Sequence, residues 1–289
     1  MISFYKKISK LITLMILVFS TMYLCSVTSY SKQNVYTVAQ DGTGNFGSIC
    51  EAVFFASDND IILIMPGIYE ESVNMAGKNL TLRGAAKEAC ILRCQSEDYF
   101  APPLNVTSGN IENMTIMSYR RIKYDKSVST IVKPGKKGLS PDEFTCYSVH
   151  CDSDESKGKS LRFLNCDIVS ECNNAVGLGI PSGFSITFEN CRISSEGTAQ
   201  AVSIHDLPAS SVKISNVNFI NTVLSNKNTD KAAIQLVSYF PGVCHININQ
   251  SNLTVRNCDK LIAVENKDAL AGTGIAGSES FFYGPGYFK

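Results

Sequence analysis

The sequence predicts an all-β solenoid, a stack of similar coils, and three observations predict it. Short apolar runs flanked by Asn, Ser, Gly and Lys recur along the 289 residues, while Trp is absent and helical periodicity is rare. Aligning the chain on itself gives three consecutive units at offsets of 25 and 26 residues, the length of a β-helix coil. Each unit carries an Asn at the same place after an alternating apolar run, as a repeated bend following a half-buried strand requires.

The N-terminus reads as a targeting segment. Lys6, Lys7 and Lys10 precede the apolar run LITLMILVF and a Ser/Thr-rich stretch, the layout of a secretory signal peptide over residues 1–31, with one domain over 32–289. An uncleaved membrane anchor is the alternative, because residues 11–28 border on spanning length. Cys25 is not expected to carry lipid, since Leu24 stands where a lipoprotein signal needs a small residue. Beyond residue 31 the chain keeps 23 basic against 26 acidic residues, which leaves no basic stripe to neutralise phosphates and argues against a nucleic-acid partner.

Residues 38–84 open the domain. Ser48 and Glu51 form an S-x-x-E capping box, and Ile49, Ala52, Val53 and Ala56 then recur on one helical face. Residues 61–65 are a short apolar run ended by Pro66-Gly67, which fits a parallel strand before a turn. This order of glycine-rich start, short capped helix and Pro-Gly-x-Tyr-x-Glu turn resembles the opening of pectin methylesterases and related members of the pectin-lyase-like superfamily. The resemblance covers about a fifth of the mature chain and implies a fold more than a chemistry. It implies a single-stranded right-handed parallel β-helix whose short N-terminal helix caps the open end of the first coil.

The repeat then supplies the body. Leu161, Phe163, Asn165, Cys166 and Ile168 align with Ile186, Phe188, Asn190, Cys191 and Ile193, and again with Val212, Ile214, Asn216, Val217 and Phe219. Asn113 falls two periods before Asn165, and Asn257-Cys258 reads as a late copy. Asn165, Asn190 and Asn216 are expected to form a scaffold ladder, each in a tight bend and bonded to the next. The cysteines beyond residue 31 are expected to be mostly buried thiols, because stacked Cys166 and Cys191 would lie about 4.8 Å apart, too far for an unstrained disulfide. Residues 119–142 break the period with a locally basic stretch rich in Lys, Gly and Pro, read as an excursion suited to an acidic sugar polymer or as a plain solvated linker.

For the chemistry, the resemblance implies a nucleophilic Asp, an acid/base Asp, an Arg and anion-hole Gln residues. Laid on this chain, the acid/base position falls near Asn173 and the nucleophile near Thr198, with Glu171 and Glu196 as the neighbouring acids. The Arg-bearing Leu-Gly-Arg-Pro-Trp segment is absent, since the chain has no Trp. Asn228-Thr229-Asp230 and Arg121-Ile122-Lys123 look like polygalacturonase motifs but stand in the wrong order. Asp152, Asp154 and Glu155 are the one dense acidic group that could take calcium; no cofactor is expected and no metal is assigned.

One polar constellation remains. His150, Asp152 and Asp154 precede the coil that holds Asp167, and His205-Asp206 closes a later coil, so they can share one lateral face. Asp152, Asp154, His205 and Asp206 are the candidate catalytic residues; the bland alternative is ordinary turn acids beside partly buried histidines. The expected function is that of a secreted or cell-surface monomer acting on or binding an extracellular, pectin-like polysaccharide. Two forms are open: a carbohydrate-active esterase, lyase or hydrolase on polyuronides, or a non-catalytic binding or adhesin-like module. Membrane contact is expected only through an uncleaved N-terminal segment.

Overall fold

The structure, a computed structural model, describes Thr13, Met15 and residues 33–94, 102–119, 147–152, 159–171, 173–181, 183–197, 199–206, 214–237 and 245–265. The molecule divides into Met1–Gln33 and Asn34–Lys289. Of the first unit Thr13 and Met15, both helical, and Gln33 are described. All that follows concerns the second. Among the described residues no helix is long and apolar enough to cross a membrane.

The chain winds through its strands three to a coil. After β1 (Val35–Val38) and the helix α1 (Ile49–Phe55) come β2 (Ile61–Ile64), β3 (Gly67–Glu70) and β4 (Val73–Asn74). Then follow β5 (Leu80–Gly84), β6 (Cys90–Cys94), β7 (Leu104–Asn105), β8 (Gly109–Glu112), β9 (Thr115–Ser118) and β10 (Val149–Asp152). The middle coils are β11 (Ser160–Leu164), β12 (Asp167–Ser170), β13 (Val176–Ile180), β14 (Ser185–Glu189), β15 (Arg192–Ser195) and β16 (Val202–Asp206). The last are β17 (Ile214–Ile220), β18 (Val223–Asn226), β19 (Ile234–Val237), β20 (His245–Ser251), β21 (Thr254–Arg256) and β22 (Ile262–Glu265). Among the described residues they form three parallel sheets, of eight strands from β1 to β20, seven from β3 to β21 and seven from β4 to β22. β1 pairs with β2, and from β2 to β19 each strand pairs with the third strand after it, which is a parallel β-helix, right-handed as parallel crossovers are.

Alternate residues of each strand point inward and stack. Phe163, Phe188 and Phe219 form one column, with ring centroids 5.1 and 5.4 Å apart and near-parallel planes. All three are fully buried. This corrects one sequence register: Phe188 pairs with Phe219 and not with Ile214, because the coil from β14 to β17 is 31 residues long and not 26. The asparagine ladder moves with it. Asn113, Asn165, Asn190, Asn221 and Asn252 hold φ between 46° and 57° at the same corner, the left-handed bend that Asn tolerates. Asn165 Nδ2 donates to Asn113 Oδ1 and Asn252 Nδ2 to Asn221 Oδ1, both at 2.8 Å. Asn216 lies instead on a strand beside Asn247, and Asn257 follows β21 at a different corner. Asn113 is one coil before Asn165 and not two, since the 119–142 excursion lies within that coil; residues 120–146 are outside the described residues.

After Asn165, Asn190 and Asn221 the next side chain donates to a corner carbonyl. Cys166 Sγ donates to Leu164 O at 3.4 Å and Cys191 Sγ to Glu189 O at 3.3 Å, while Thr222 Oγ1 donates to Ile220 O at 2.9 Å. These cysteines are buried free thiols, and burial pushes the Cys166 thiol well up. At the N-terminal end, α1 buries Ile49, Ala52 and Val53. Ser48 Oγ accepts from Glu51 N, the Glu71 carboxylate accepts from Ile49 N and Cys50 N, and Lys78 Nζ donates to the carbonyls of Val53, Phe54 and Ala56. Both helix ends are thus tied to the coil beneath, in the sense that the helix dipole favours.

Candidate functional site

The third sheet brings the histidines and Asp152 together. In β10, Val149 and Cys151 point into the core, so His150 and Asp152 point out. His150 is in register with Gly177 of β13 and Ser203 of β16; Asp152 is in register with Gly179 and then His205. Asn74, Asn105 and Gln235 extend the His150 column along the sheet. Alternation alone therefore lines one outward face with amides, a hydroxyl, two imidazoles and a carboxylate.

His205 Nε2 lies 3.1 Å from Asp152 Oδ2, and His150 Nε2 lies 3.8 Å from the same oxygen. The bond from His205 holds the Asp152 carboxyl below the usual carboxylate range, against the opposing effect of burial. An ionised carboxylate only accepts, so His205 Nε2 carries the proton of this bond. Burial pushes His150 below the ordinary imidazole value, partly offset by Asp152. The Tyr147 ring stacks on His150 with centroids 5.4 Å apart and fixes its plane. The side chains of His150, Asp152 and His205 keep 14%, 30% and 23% of their surface, so a solvent-borne molecule can reach them.

Of the four residues the sequence proposed, the structure joins Asp152 and His205. Asp206 ends β16 in register with Ile180, and Asp154 lies outside the described residues, as does Glu155. Asp167 belongs to the second sheet, where Arg192 Nη2 and Lys87 Nζ pair with it at 2.7 and 3.3 Å. Among the described residues no group of three or more His, Cys, Asp and Glu is placed to hold a metal ion.

The positions that the resemblance marked lie at another corner. Asn173 N donates to Ser170 Oγ at 3.0 Å, Asn173 O accepts from Ser195 Oγ at 3.1 Å, and Asn173 Oδ1 accepts from Asn174 N at 2.8 Å. Asn173 is a turn residue. Glu171 and Glu196 follow equivalent strands one coil apart, and Glu196 Oε1 accepts from Ser194 Oγ at 3.0 Å. Thr198 lies outside the described residues. Sequence reasoning missed Tyr147, Gly177 and Gly179, although Val-Gly-Leu-Gly-Ile, with glycine at alternate places in a strand, signals close approach of another group.

No protein-family model matches this sequence, and no curated protein matches it. Among solved structures the chain is similar to pectin methylesterase from Yersinia enterocolitica, at 12% identity and a TM-score of 0.42 over 73% of this chain and 91% of that one. It is similar also to pectin methylesterase from carrot, at 15% identity and a TM-score of 0.43 over 91% and 89%. A third is pectin methylesterase PemA from Erwinia chrysanthemi, at 12% and 0.40 over 77% and 80%. At these values the likeness says nothing of chemistry, and the fold stands on the strand pairing above.

Proposed function

We propose that the protein engages an extracellular polysaccharide along the outward face of the third sheet, and that Asp152 and His205 are its reactive pair. The contact between His205 Nε2 and Asp152 Oδ2, at 3.1 Å on a solvent-reachable face, carries the reading. With Nε2–H donated to Asp152, the ring's lone pair sits on Nδ1, the atom that accepts a proton when the imidazole acts as general base. Asn74, Asn105, Ser203 and Gln235 add neutral donors and acceptors of the kind that orient sugar hydroxyls. This set suits a carbohydrate-active esterase, lyase or hydrolase. An acidic, pectin-like substrate and export rest on the resemblance of residues 38–84 and on the apolar N-terminus.

The test is to incubate the purified protein with methylated and unmethylated pectin and to follow methanol, unsaturated ends and reducing ends. Turnover in the wild type that falls about 10²- to 10⁴-fold in both His205→Ala and Asp152→Asn supports a general-base role. Turnover indifferent to both substitutions overturns it. The second reading, a binding or adhesin-like module, is favoured by Asn173, an amide committed to a turn where the resemblance calls for an acid. Retention of glycan without turnover supports that reading.

A further inference from the structure

β13 is buried at all five positions, although Gly177 and Gly179 occupy register positions that face outward in β10 and β16. Something covers each glycine. A Cβ on Gly177 would stand 2.6 Å from Cδ2 and Cε2 of Tyr147; one on Gly179 would stand 2.3 Å from Asp152 Oδ1 and 3.0 Å from His205 Cε1. The two glycines therefore leave gaps in adjacent outward columns. The Tyr147 ring fills the first gap, and the Asp152 carboxylate reaches across the second.

Backbone conformation does not call for glycine at either place. The positive-φ glycines among the described residues are Gly42, Gly77, Gly109 and Gly183. Space remains as the reason. Asp152 and His205 stand two coils apart, so about 9.6 Å separates their backbones at a strand spacing of about 4.8 Å. Any side chain on the coil between them would occupy the line along which the carboxylate meets the imidazole.

We infer that Gly179 is a positioning residue, which assembles the Asp152–His205 pair by leaving the intervening coil bare. Its consequence for turnover rests on the reading of that pair as a general base; its consequence for the pairing does not. The atoms that an alanine would meet, Asp152 Oδ1 and Cγ and then His205 Cε1, belong to rotatable side chains and not to backbone. Gly179→Ala therefore folds with the carboxylate turned aside and the pair broken.

Imidazole ¹⁵N spectra of the full chain test the pairing directly. The wild type is expected to show a His205 Nε2–H proton slowed in solvent exchange by its bond to Asp152, Gly179→Ala to lose that protection, and Gly177→Ala, which displaces Tyr147 instead, to keep it. Retention of the protected Nε2–H proton in Gly179→Ala, or an equal loss in Gly177→Ala, overturns the inference. In the pectin assay Gly179→Ala falls to the level of Asp152→Asn, and combining the two lowers the rate less than twofold further; independent, multiplying losses count against it. If Gly179→Ala unfolds, the Gly179→Ala/Asp152→Ala double variant recovers the thermal midpoint, because the carboxylate no longer competes for the space. Failure to recover overturns the inference. A wild type inactive on every polysaccharide defeats the catalytic reading while the exchange of the His205 Nε2–H proton still decides the role of Gly179.

Discussion

Asp152 presents one carboxylate oxygen to two imidazoles, and the distances divide their roles. At 3.1 Å His205 donates a hydrogen bond; at 3.8 Å His150 is beyond one and feels the charge alone. Burial holds His150 neutral, and the bond from His205 holds Asp152 ionised. Both groups titrate lower in the folded protein than in the unfolded chain. The unfolded chain therefore takes up protons first as the pH falls, and stability present at neutral pH is lost on acidification. The His150 part is lost first, below the ordinary imidazole value of about 6.5, and the Asp152 part later, below the ordinary carboxylate value of about 3.9. Urea unfolding at pH 7.5 and pH 5 is expected to show a lower midpoint at pH 5, with a smaller drop in His150→Gln. An equal drop in both proteins would remove His150 from the account.

At the scale of strands and corners, inward side chains carry the stability. Phe188 lies between Phe163 and Phe219, both near-parallel to it, so truncation leaves a cavity that neither neighbour can close by a rotamer change alone. Phe188→Ala and Phe219→Ala are each expected to cost about 3 to 5 kcal/mol in denaturant unfolding, as large-to-small changes in a packed column do. A loss under about 1 kcal/mol in Phe219→Ala would refute its place in the column. The sequence made Phe163 and Phe188 legible because both stand two residues before an Asn-Cys pair. It hid Phe219, whose coil continues Asn221-Thr222-Val223-Leu224, with a hydroxyl where the earlier coils have a thiol. Cys166, Cys191 and Thr222 do the same work at the corner, donating to the carbonyl two residues back; with no cysteine to mark the third corner, Asn216 stood in for Asn221 and the register slipped by five residues. Repeats constrain what faces the core and leave corner length free; a period alone cannot fix register where corners vary.

Across the whole molecule, the fold was legible further than the site. Inward alternation, the ladder asparagines and the capped helix are local signals, each readable within a few residues. Asp152 and His205 stand 53 residues apart and meet only because coils stack, so their distance depends on every corner between them. Gly179 was legible only as an unexplained glycine in a strand. The same stacking predicts how the chain tolerates loss of residues 120–146, which separate β9 from β10. Ser118 N donates to Ser148 Oγ at 2.9 Å, and Ser118 Oγ donates to Ser170 Oγ at 2.9 Å, so both flanks of the segment are pinned to each other and to the next coil. In that next coil residues 171–175 cross the same corner between β12 and β13. Register on either side is set by pairing of Thr115 with Asp167 and of Val149 with Val176, neither of which involves the segment. Loop closure costs rise only slowly with length, so a long excursion adds little instability and its removal restores little. Replacing 120–146 by a short Gly/Ser link is therefore expected to leave the thermal midpoint within about 4 °C, the shift that about 1 kcal/mol produces in a domain of this size. On immobilised polygalacturonate the same variant is expected to elute at lower salt than the wild type, because the deleted stretch is locally basic. Unchanged elution would move polymer recognition away from this segment, and loss of cooperative unfolding would show that the segment holds the coil together.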